Sequence, residues 1–478
     1  MTESDLPALD LGPVAHLAHW AKLKPNSMAL VGPKLALSWR ELHHWVQAQA
    51  RLLRDAKVTG GVLIAAQGEL EKILALACLH EGLFFASLPP NFDHSELAKL
   101  GFTTIFGEQV QHSGELRTLA PQPMGPESLV PTESDFVPNP LQSMDLVQVV
   151  FTSGTTGLPK ATPFSLGLQS GRVLSVHQSV KLRRILTMVS FRTMAGSAIL
   201  FLDLWRGQTN LTPGTPKQNL ELAKDHHVEL LAGSPAVLDA LGNQARSQEV
   251  QIESVKAVMT GGAFIHPKVA QRLAETFQCH VMNVYASTEG GLAAFSDATN
   301  TPNDLCLPYP GVKIKIVDQD GKELPAGHKG RILIDGPQMR LSYLGPEGFN
   351  PQDSGEYFEP GDLGYLDENG LVKVLGREDD ILNLSGVKID PRQIEEFAMN
   401  ELGIPEAVSM LATDQNGKTF HIMFVVSSDQ IDSKVLVAKM RQVFKNKAPQ
   451  MVMQLSEIPR NEMGKVARRV TIETGQNR

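Results

Sequence analysis

The sequence predicts a multidomain α/β protein that ends in a small α+β unit. At 478 residues the chain is longer than one hydrophobic core ordinarily serves, so two or more domains are expected. Up to Phe295, short β-branched runs alternate with amphipathic stretches, which is typical of parallel sheets covered by helices. Beyond Phe295, apolar and polar residues alternate between Asp-Gly and Gly-Pro breaks, and this pattern favours antiparallel strands.

The first α/β layer is predicted from residues 36–91. Residues 36–57 carry a helix signature, because Ser38 and Glu41 have the spacing of a capping box and an apolar stripe follows them. The run VLIAA at 62–66 predicts a buried strand, and residues 71–91 predict a helix that turns into a second strand. Strand, helix and strand in this order indicate a parallel sheet.

The second α/β layer follows a proline-rich connecting segment at 121–140 and a predicted strand at 145–150. Residues 185–191 predict a strand, and residues 195–208 predict an apolar helix that closes at a glycine. Three further strands are predicted, each ending in a loop with glycine or proline, at 227–235, 254–263 and 280–291. Ligands of open α/β sheets bind beyond the carboxyl ends of the strands, so these loop tips are expected to line one crevice.

The C-terminal part contains two predicted antiparallel segments, 311–337 and 356–379, before a small α+β unit begins near Glu378. Within that unit, the sequence predicts a strand and helix over 387–400, a strand over 421–427 and a helix over 434–446. The tail ends with a compact turn at Gly464-Lys465.

The composition is that of an ordinary soluble protein, with 42% hydrophobic and 20% charged residues. The net charge of -8 argues against nucleic acid or an anionic membrane as the main partner. The acidic N-terminus carries no secretory signal pattern, and no apolar run approaches the roughly 20 residues of a membrane span. Three widely spaced cysteines form neither a disulfide framework nor a metal site, so a cytoplasmic location is expected.

The stretch FTSGTTGLPK, residues 151–160, combines hydroxyls, glycines and a lysine, which are the groups that hold polyphosphate. Its spacing is not that of the P-loop, because Gly154 and Gly157 are too close together and Pro159 blocks a helix start at the lysine. Taken alone, the stretch is also compatible with a polar surface turn.

Several segments together resemble the adenylate-forming (ANL) superfamily of acyl- and aryl-CoA synthetases, peptide-synthetase adenylation domains and luciferases. The resemblance runs from near Pro25 to Arg469, and its motifs FTSGTTGLPK, GGA, NVYASTE, PGDLG, GRED and PRNEMGKVARR occur in the order of the family. It implies a large N-terminal domain of two α/β layers and a small β-barrel, residues 1–377. A mobile C-terminal domain, residues 378–478, would carry the catalytic lysine.

The resemblance also implies roles for individual residues. The β- and γ-phosphates of ATP would be held by the first loop, which comprises Thr152, Ser153, Gly154, Thr155, Thr156, Gly157 and Lys160. The rest of the nucleotide would be held by Gly261, Gly262 and Ala263 against adenine, Tyr285 stacked on it, the neighbouring Asn283, Ala286 and Ser287, and Asp362 and Arg377 at the ribose hydroxyls. The catalytic set would be Thr288 at the α-phosphate, Glu289 on Mg²⁺ and Lys465.

The acid pocket would include Phe191, Arg192, Met194, Gly262 and Gly291. Asp379 would be the hinge about which the C-terminal domain rotates between two half-reactions. The implied chemistry joins a carboxylic acid to AMP with release of pyrophosphate. The acyl group would then pass to a thiol of CoA or of a carrier-protein phosphopantetheine.

Four positions depart from the family pattern. Ala161 and Ala286 replace glycines, and Asn383 stands where many CoA synthetases carry lysine, so the thiol acceptor stays open. Amino-acid-activating relatives place an aspartate where this chain has Arg192, and a cation there would repel a substrate ammonium. The expected substrate is therefore a carboxylic acid with an apolar or aromatic body, with Arg192 either facing it or pointing away.

Three alternatives remain at this stage. The protein could activate an amino acid for a carrier protein, bind nucleotide without turnover, or act as an oxygenase of the luciferase kind. The joint presence of Glu289, Asp362, Arg377 and Lys465 favours an active ligase.

Overall fold

The computed structural model describes residues 6–88, 97–108, 116–123, 137–152, 160–300, 305–336, 344, 357–384, 386–413, 418–458 and 469–471. It divides the chain into two units. The N-terminal unit comprises Met1–Ile314 and Ile334–Phe358, and the C-terminal unit comprises Lys315–Leu333 and Glu359–Arg478.

The N-terminal unit contains helices that follow or precede most of its strands. The helices are α1 Gly12–Leu23, α2 Trp39–Asp55, α3 Glu69–His80, α4 Leu166–Ser179, α5 Met194–Arg206, α6 Pro216–Asp225, α7 Pro235–Ser247 and α8 Pro267–Phe277. The strands are β1 Met28–Val31, β2 Ala36–Ser38, β3 Gly61–Ala65, β4 Phe85–Ser87, β5 Phe102–Gly107, β6 Arg117–Leu119, β7 Leu146–Thr152, β8 Lys160–Ser165, β9 Ile185–Thr187, β10 Asn210–Leu211, β11 Leu230–Gly233, β12 Ala257–Gly261, β13 His280–Ser287, β14 Gly291–Asp297 and β15 Leu307–Pro308.

The first sheet has the strand order β6-β5-β3-β4-β7-β8. Strands β3 and β4 are parallel and flank α3, as the strand–helix–strand pattern predicted. Strand β8 is antiparallel to β7, with Thr152 opposite Lys160. Lys160 therefore begins a strand and not a helix, in agreement with the argument that this loop is not a P-loop. Residues 153–159, which include Ser153, Gly154, Thr155, Thr156 and Gly157, lie outside the described residues.

The second sheet has the order β15-β14-β13-β12-β11-β9. Strands β9, β11, β12 and β13 are parallel neighbours, so their carboxyl ends lie at one edge, as predicted from the loop tips. The predicted strand over 185–191 was too long, because β9 ends at Thr187. Beyond it Thr193 closes a turn on the Ser190 carbonyl, donating from its backbone N at 3.0 Å and from Oγ1 at 2.8 Å, and then caps α5.

The core between these layers is built by apolar stripes whose helical period is visible in the sequence. In α2 the capping box is confirmed: Glu41 N donates to the Ser38 side chain, and Ser38 N donates to the Glu41 carboxylate. The predicted helix begins at Trp39, because residues 36–38 pair as β2. All four tryptophans of the chain, Trp20, Trp39, Trp45 and Trp205, are buried in the same apolar cluster of the N-terminal unit.

A buried polar network joins α3, α5 and β10. Lys72 Nζ donates to Asn210 Oδ1 at 2.7 Å and to Thr212 Oγ1 at 2.9 Å, and Asn210 Nδ2 donates to Asp203 Oδ2 at 2.8 Å. Burial lowers the pKa of Lys72 to about 8 and raises the pKa of Asp203 to about 7. Within the described residues Asp203 Oδ1 has no hydrogen-bond partner, so part of this network is poorly solvated.

The C-terminal unit contains the antiparallel and α+β elements that the sequence predicted. Two strands, β16 Lys313–Val317 and β17 Gly330–Asp335, have two residues each in the N-terminal unit and the rest in the C-terminal unit. The elements wholly within the C-terminal unit are β18 Asp362–Leu366, β19 Val372–Arg377, β20 Leu382–Leu384, β21 Val387–Ile389, α9 Pro391–Asn400, β22 Glu406–Thr413, β23 Thr419–Val426, α10 Ser433–Phe444, β24 Met451–Leu455 and β25 Arg469–Thr471. The part of the implied β-barrel that the described residues contain is a sheet of order β16-β17-β18-β19. A second sheet has the order β24-β23-β22-β25, and α9 and α10 contribute Ile394 and Met440 to its apolar core.

The domain boundary that the sequence predicts after Arg377 remains a prediction.

Short 3-10 helices at Leu9–Leu11, Leu97–Leu100, Glu378–Asp380 and Lys445–Lys447 complete the described elements. Among the residues that the structure describes, no helix combines the length and the apolar composition needed to cross a membrane.

Candidate active site

The predicted ligand wall Gly261–Ala263 lies at the carboxyl end of β12. Gly261 is opposite Val284 of β13, and a Cβ built on Gly261 would lie 3.0 Å from the Val284 carbonyl oxygen. Gly262 has a φ of +78°, a left-handed conformation that glycine adopts without strain, and open space surrounds the place where its Cβ would be. Gly262 and Ala263 are exposed, so this segment presents backbone at the strand edge.

The NVYASTE segment forms strand β13 and the turn that follows it. Asn283, Tyr285, Ala286 and Ser287 lie on β13, and an irregularity in the pairing with β14 falls between Tyr285 and Ala286. This is the position at which alanine replaces the glycine of the family, so the added methyl group sits at an irregular point of the ladder. Tyr285 is half-buried and makes a polar, electrostatic or ring contact with neighbouring residues.

Thr288 and Glu289 occupy the three-residue turn between β13 and β14. The Gly290 backbone N donates to Ser287 Oγ at 2.8 Å, and Gly291 follows with a φ of +68°. A turn of this length that ends in a left-handed residue is a standard hairpin connection, and it explains glycine at position 291. Because Ser287 pairs with Gly291, the side chains of Thr288 and Glu289 are presented at the edge where β11 and β12 also end.

Arg172 of α4 is bonded to the main chain of this turn, a contact that no motif of the sequence indicated. Its Nη2 donates to the carbonyl oxygens of Thr288 and Glu289, each at 3.0 Å. The side chain is 2% exposed, and its guanidinium carbon lies 4.4 Å from the centroid of the Phe164 ring. Burial lowers the pKa of Arg172 to about 9, while the charge of Glu289 acts in the opposite direction.

Two hydroxyl groups near the same strand ends are buried without a hydrogen bond. Within the described part of the chain, Thr260 Oγ1 on β12 and Ser234 Oγ, which follows β11, have no partner. Ser234 is the N-cap of α7 but makes no side-chain cap bond there. Buried hydroxyls ordinarily find partners, so their position at the carboxyl edge suits a polar ligand such as a nucleotide.

The phosphate-loop residues that the structure describes are Thr152 and Lys160, at the facing ends of β7 and β8. Lys160 is exposed. The departure at Ala161 is accommodated, because this residue is 4% exposed within an apolar cluster and its carbonyl accepts from Leu344 N at 2.9 Å.

Of the predicted acid pocket residues, Phe191 and Arg192 lie between β9 and α5, and Met194 begins α5. Phe191 is buried and stacks in parallel on Phe85, with ring centroids 6.1 Å apart, and Met194 is the buried first residue of α5. Arg192 has its Nε 3.4 Å from Glu71 Oε1, and these two side chains are 15% and 6% exposed. The structure therefore supplies an internal counter-ion to Arg192 that the sequence pattern did not reveal.

Glu71 is unusual in its own right, because it lies in the first turn of α3 and is buried. Burial raises its pKa, and the hydrogen bond from Ser87 and the charges of Arg192 and Lys72 oppose that rise. Ser87 Oγ donates to Glu71 Oε1, so one carboxylate oxygen links the end of β4 to the loop that carries Arg192.

In the C-terminal unit the structure brings together Asp362 and Arg377, which pair across β18 and β19. Arg377 Nη2 donates to the Pro360 carbonyl at 3.0 Å, and Gly361 has a φ of +80° beside it. Asp379 lies in the 3-10 helix directly after β19. A cavity of about 310 Å³ adjoins these elements, with Arg377, Asp380, Asp390 and Arg392 among its lining residues. Lys465 lies outside the described residues.

The donor set suits a magnesium ion carried with a nucleotide. In the described ranges there is no group of three or more His, Cys, Asp or Glu side chains that could enclose a metal. Mg²⁺ in nucleotide sites is commonly held by one or two carboxylates together with phosphate oxygens, and Glu289 at the strand edge provides one such carboxylate. The residues present therefore fit Mg²⁺ as part of a nucleotide complex.

Comparison with known proteins identifies the family of this chain. A family model described as AMP-binding enzyme matches residues 17–344. The chain belongs to the AMP-binding enzyme family. This membership confirms the resemblance to the adenylate-forming superfamily that the motif order predicted.

Relatives of this AMP-binding enzyme include a long-chain-fatty-acid–CoA ligase of Escherichia coli O6:H1, 24% identical over 353 residues that cover 70% of this chain and 62% of the relative. A fatty acid–[acyl-carrier-protein] ligase, ScoC of Streptomyces coeruleorubidus, is 25% identical over 70% of this chain and 69% of the relative. A 4-chlorobenzoate–CoA ligase of Arthrobacter sp is 26% identical over 68% of this chain and 65% of the relative. The match thus spans about three fifths of the fatty-acid–CoA ligases.

Solved structures show the same fold over nearly the whole length. O-succinylbenzoate CoA synthetase of Bacillus subtilis, in complex with ATP and magnesium, superposes with a TM-score of 0.78 at 20% identity, covering 95% of this chain and 98% of that chain. ATP-bound MatB of Rhodopseudomonas palustris superposes with a TM-score of 0.75 at 22% identity, covering 95% and 97%. The AMP-binding enzyme therefore has the predicted fold of two α/β layers with a small C-terminal unit.

Proposed function

We propose that this protein is an acid–thiol ligase, which activates a carboxylic acid with ATP and transfers the acyl group to a thiol. The observation that carries the proposal is the Thr288-Glu289 turn, set at the carboxyl edge of parallel strands beside the exposed Gly262 backbone. The relatives named as fatty-acid–CoA, fatty-acid–carrier-protein and chlorobenzoate–CoA ligases support this chemistry.

The first half-reaction forms an acyl-adenylate. A carboxylate oxygen of the acid bonds to the α-phosphorus of ATP, and the bond from that phosphorus to the bridging oxygen breaks, so that pyrophosphate leaves with the electron pair. Thr288 donates to the α-phosphate, and Lys465 stabilises the charge that accumulates there. Removal of such a preorganised donor ordinarily costs about 10²–10³-fold in rate. Mg²⁺, when bound with ATP at Glu289, neutralises phosphate charge.

The remaining nucleotide contacts position the α-phosphorus. Gly261, Gly262, Ala263 and Tyr285 bind adenine, Asn283, Ala286 and Ser287 line the same strand, and Asp362 and Arg377 bind the ribose hydroxyls. Thr152, Lys160 and the loop between them hold the β- and γ-phosphates.

The second half-reaction transfers the acyl group. A thiolate attacks the carbonyl carbon of the adenylate, the carbon–oxygen bond to AMP breaks, and AMP leaves as the anion. We place the hinge for the change between the two half-reactions at Asp379, at the junction of residues 1–377 and 378–478. The acceptor is CoA or a carrier-protein phosphopantetheine, because relatives of both kinds match equally well.

The acid has an apolar or aromatic body and no α-ammonium group. Phe191 and Met194 provide buried apolar surface, and Arg192 stands in place of the aspartate of amino-acid-activating relatives. Glu71 already neutralises Arg192, so the substrate need not bring a second anionic group. Few and widely spaced cysteines support a cytoplasmic location for the reaction.

Pyrophosphate exchange tests the proposal directly. The full chain is incubated with ATP, Mg²⁺ and a panel of medium- and long-chain fatty acids, aryl acids and amino acids. Exchange with fatty or aryl acids, lost in Lys465→Ala, is the expected result. Mass spectrometry then shows whether CoA or a phosphopantetheinylated carrier protein is acylated. ATP binding without exchange for any acid would favour a non-catalytic nucleotide-binding protein, and exchange with amino acids alone would favour a peptide-synthetase-like enzyme.

A further inference from the structure

The turn that carries Thr288 and Glu289 has a buried cation against its backbone. Arg172 Nη2 donates one hydrogen to each of two successive carbonyl oxygens, 116 and 117 residues further along the chain. Two bonds from one rigid guanidinium determine the orientation of both peptide planes. The Cα positions from which the Thr288 and Glu289 side chains project are therefore set by α4.

Arginine is a costly residue for anchoring a turn at this place. Its side chain is 2% exposed, and within the described residues its Nε and Nη1 have no hydrogen-bond partner. An unsatisfied buried donor destabilises the folded state, and a purely apolar residue of the same volume would avoid that penalty. A turn can be stabilised without burying a charged group by side chains such as the nearby Ser287, whose Oγ already accepts a hydrogen bond from the Gly290 backbone N.

Arg172 contacts the main chain of the residue with the proposed metal role. The two carbonyl oxygens that accept from its Nη2 belong to the peptide before the Glu289 Cα and to the peptide after it. The guanidinium therefore holds the Glu289 backbone on both sides of its Cα.

From these contacts we propose that Arg172 is a positioning residue for nucleotide-bound Mg²⁺, acting through the turn Ser287–Gly291. This inference rests on the proposed function, in which Glu289 binds Mg²⁺. Carboxylate ligands of Mg²⁺ lie at about 2.0–2.1 Å in near-octahedral geometry, so a displacement of the turn by about 0.5 Å disturbs coordination. Loss of a residue that orients a metal ligand typically reduces metal affinity or activity about 10–100-fold.

The matched control is Arg206 of α5. It is also buried, at 6% exposure, and it also donates to main-chain carbonyls, those of His177 at 3.4 Å, Val180 at 3.1 Å and Leu182 at 3.3 Å. Its Nε donates to His177 Nδ1 at 2.9 Å. These carbonyls belong to the last turn of α4 and to the segment between α4 and β9, and not to the Thr288-Glu289 turn. Arg206→Met therefore reproduces the loss of a buried carbonyl-bonding guanidinium without touching the turn.

The test compares wild type, Arg172→Met, Arg172→Lys and Arg206→Met as full-length chains. Methionine retains apolar packing against Phe164 but donates no hydrogen bond, and lysine retains the charge and at least one donor. Calorimetry measures the dissociation constant of ATP with Mg²⁺ and with EDTA, in the absence of acid. Pyrophosphate exchange at saturating acid measures the Mg²⁺ concentration that gives half-maximal rate.

We expect Arg172→Met to raise the half-maximal Mg²⁺ concentration about 10–100-fold and to reduce the effect of Mg²⁺ on ATP binding, with ATP binding in EDTA unchanged. Arg172→Lys should fall between this variant and wild type. Arg206→Met should lower the unfolding temperature but leave both Mg²⁺ readouts at the wild-type value.

Wild-type Mg²⁺ readouts in a folded Arg172→Met would overturn the inference. If that variant does not fold, Arg172→Lys decides: a raised Mg²⁺ requirement supports the positioning role, and an unchanged one refutes it. Equal changes in Arg206→Met would also refute it, because they would trace the effect to general destabilisation. Absence of exchange by wild type with every acid would instead count against the proposed function, while the calorimetric comparison would still report on Arg172.

Discussion

Replacement of Asp203 by asparagine should change how the stability of the N-terminal unit depends on pH. Asp203 is 1% exposed, and burial raises its pKa from 3.8 to about 7, with the hydrogen bond from Asn210 and the charges of Arg206 and Lys72 acting against that rise. A carboxyl group whose pKa is higher in the folded than in the unfolded state makes its full contribution to the free energy of unfolding below pH 3.8, where it is protonated in both states. That contribution is lost as the pH rises through about 7.

The size of the effect follows from these two pKa values. Between pH 5 and pH 8 the carboxyl group of the folded protein releases its proton, while that of the unfolded chain is already ionised. The free energy of unfolding of the wild type should therefore fall by about 2–3 kcal/mol on account of this one group. The asparagine side chain of the variant would keep an oxygen to accept from Asn210 but would not titrate, so the variant lacks this contribution to the slope.

Tryptophan fluorescence is a suitable probe, because all four tryptophans lie in the apolar cluster of the N-terminal unit. Urea unfolding at several pH values between 5 and 8 gives the difference in free energy of unfolding between Asp203→Asn and wild type. That difference should shift in favour of the variant by about 2–3 kcal/mol as the pH rises, whatever its value at pH 5. The exposed Asp225→Asn serves as control. A difference that stays constant over this range would refute the assignment of a protonated, buried Asp203.

Three further predictions concern the site and the fold. Glu71→Gln removes the counter-ion of Arg192, so the rate of pyrophosphate exchange with a dicarboxylic acid should rise about tenfold relative to the rate with the monocarboxylic acid of equal length. A tenfold change is the size expected for one charge-assisted hydrogen bond. An unchanged ratio of the two rates would mean that Arg192 does not face the acid. Gly262→Val forces a β-branched residue into a left-handed conformation at a cost of about 1–2 kcal/mol without a steric clash, and it should weaken ATP binding in calorimetry. The control Gly321→Val, with a φ of +81° and equally open surroundings, should lower the stability by a similar amount but leave ATP binding unchanged. Equal effects of both variants on ATP binding would contradict the placement of Gly262 at the nucleotide. Ser38→Ala removes the capping box of α2 and should reduce the free energy of unfolding, measured by the same fluorescence assay, by about 1 kcal/mol. An unchanged free energy of unfolding would show that the cap adds nothing to the stability of α2.

Local features of the chain could be predicted because their causes lie within a few residues. The capping box at Ser38 and Glu41, the strand before the phosphate loop and the hairpin that turns near Gly370 are each confirmed with small changes of bounds. Periodicity was sufficient to place α2 and α3, and proline and glycine ended most of the elements where expected. Strand 185–191 was the exception, since the Ser190–Thr193 turn depends on a hydrogen bond that apolar periodicity does not register.

The chemistry of the site was predicted from motif order, and the roles of Tyr285, Glu289, Asp362 and Arg377 remain predictions. The sequence also identified Arg192 as the residue that departs from amino-acid-activating relatives. It offered no sign that Glu71, in the first turn of a distant helix, is the partner of Arg192, because the carboxylates of amphipathic helices are ordinarily exposed.

What the sequence by itself determined is the order of elements, the family and the set of residues at the strand ends. Only the tertiary structure decided which side chains meet across long stretches of chain, such as Arg172 with the carbonyls of Thr288 and Glu289. The physical reason is that these partners are brought together by the order of strands in a sheet. That order arises from the burial of whole faces, and no local pattern of residues encodes the individual contact.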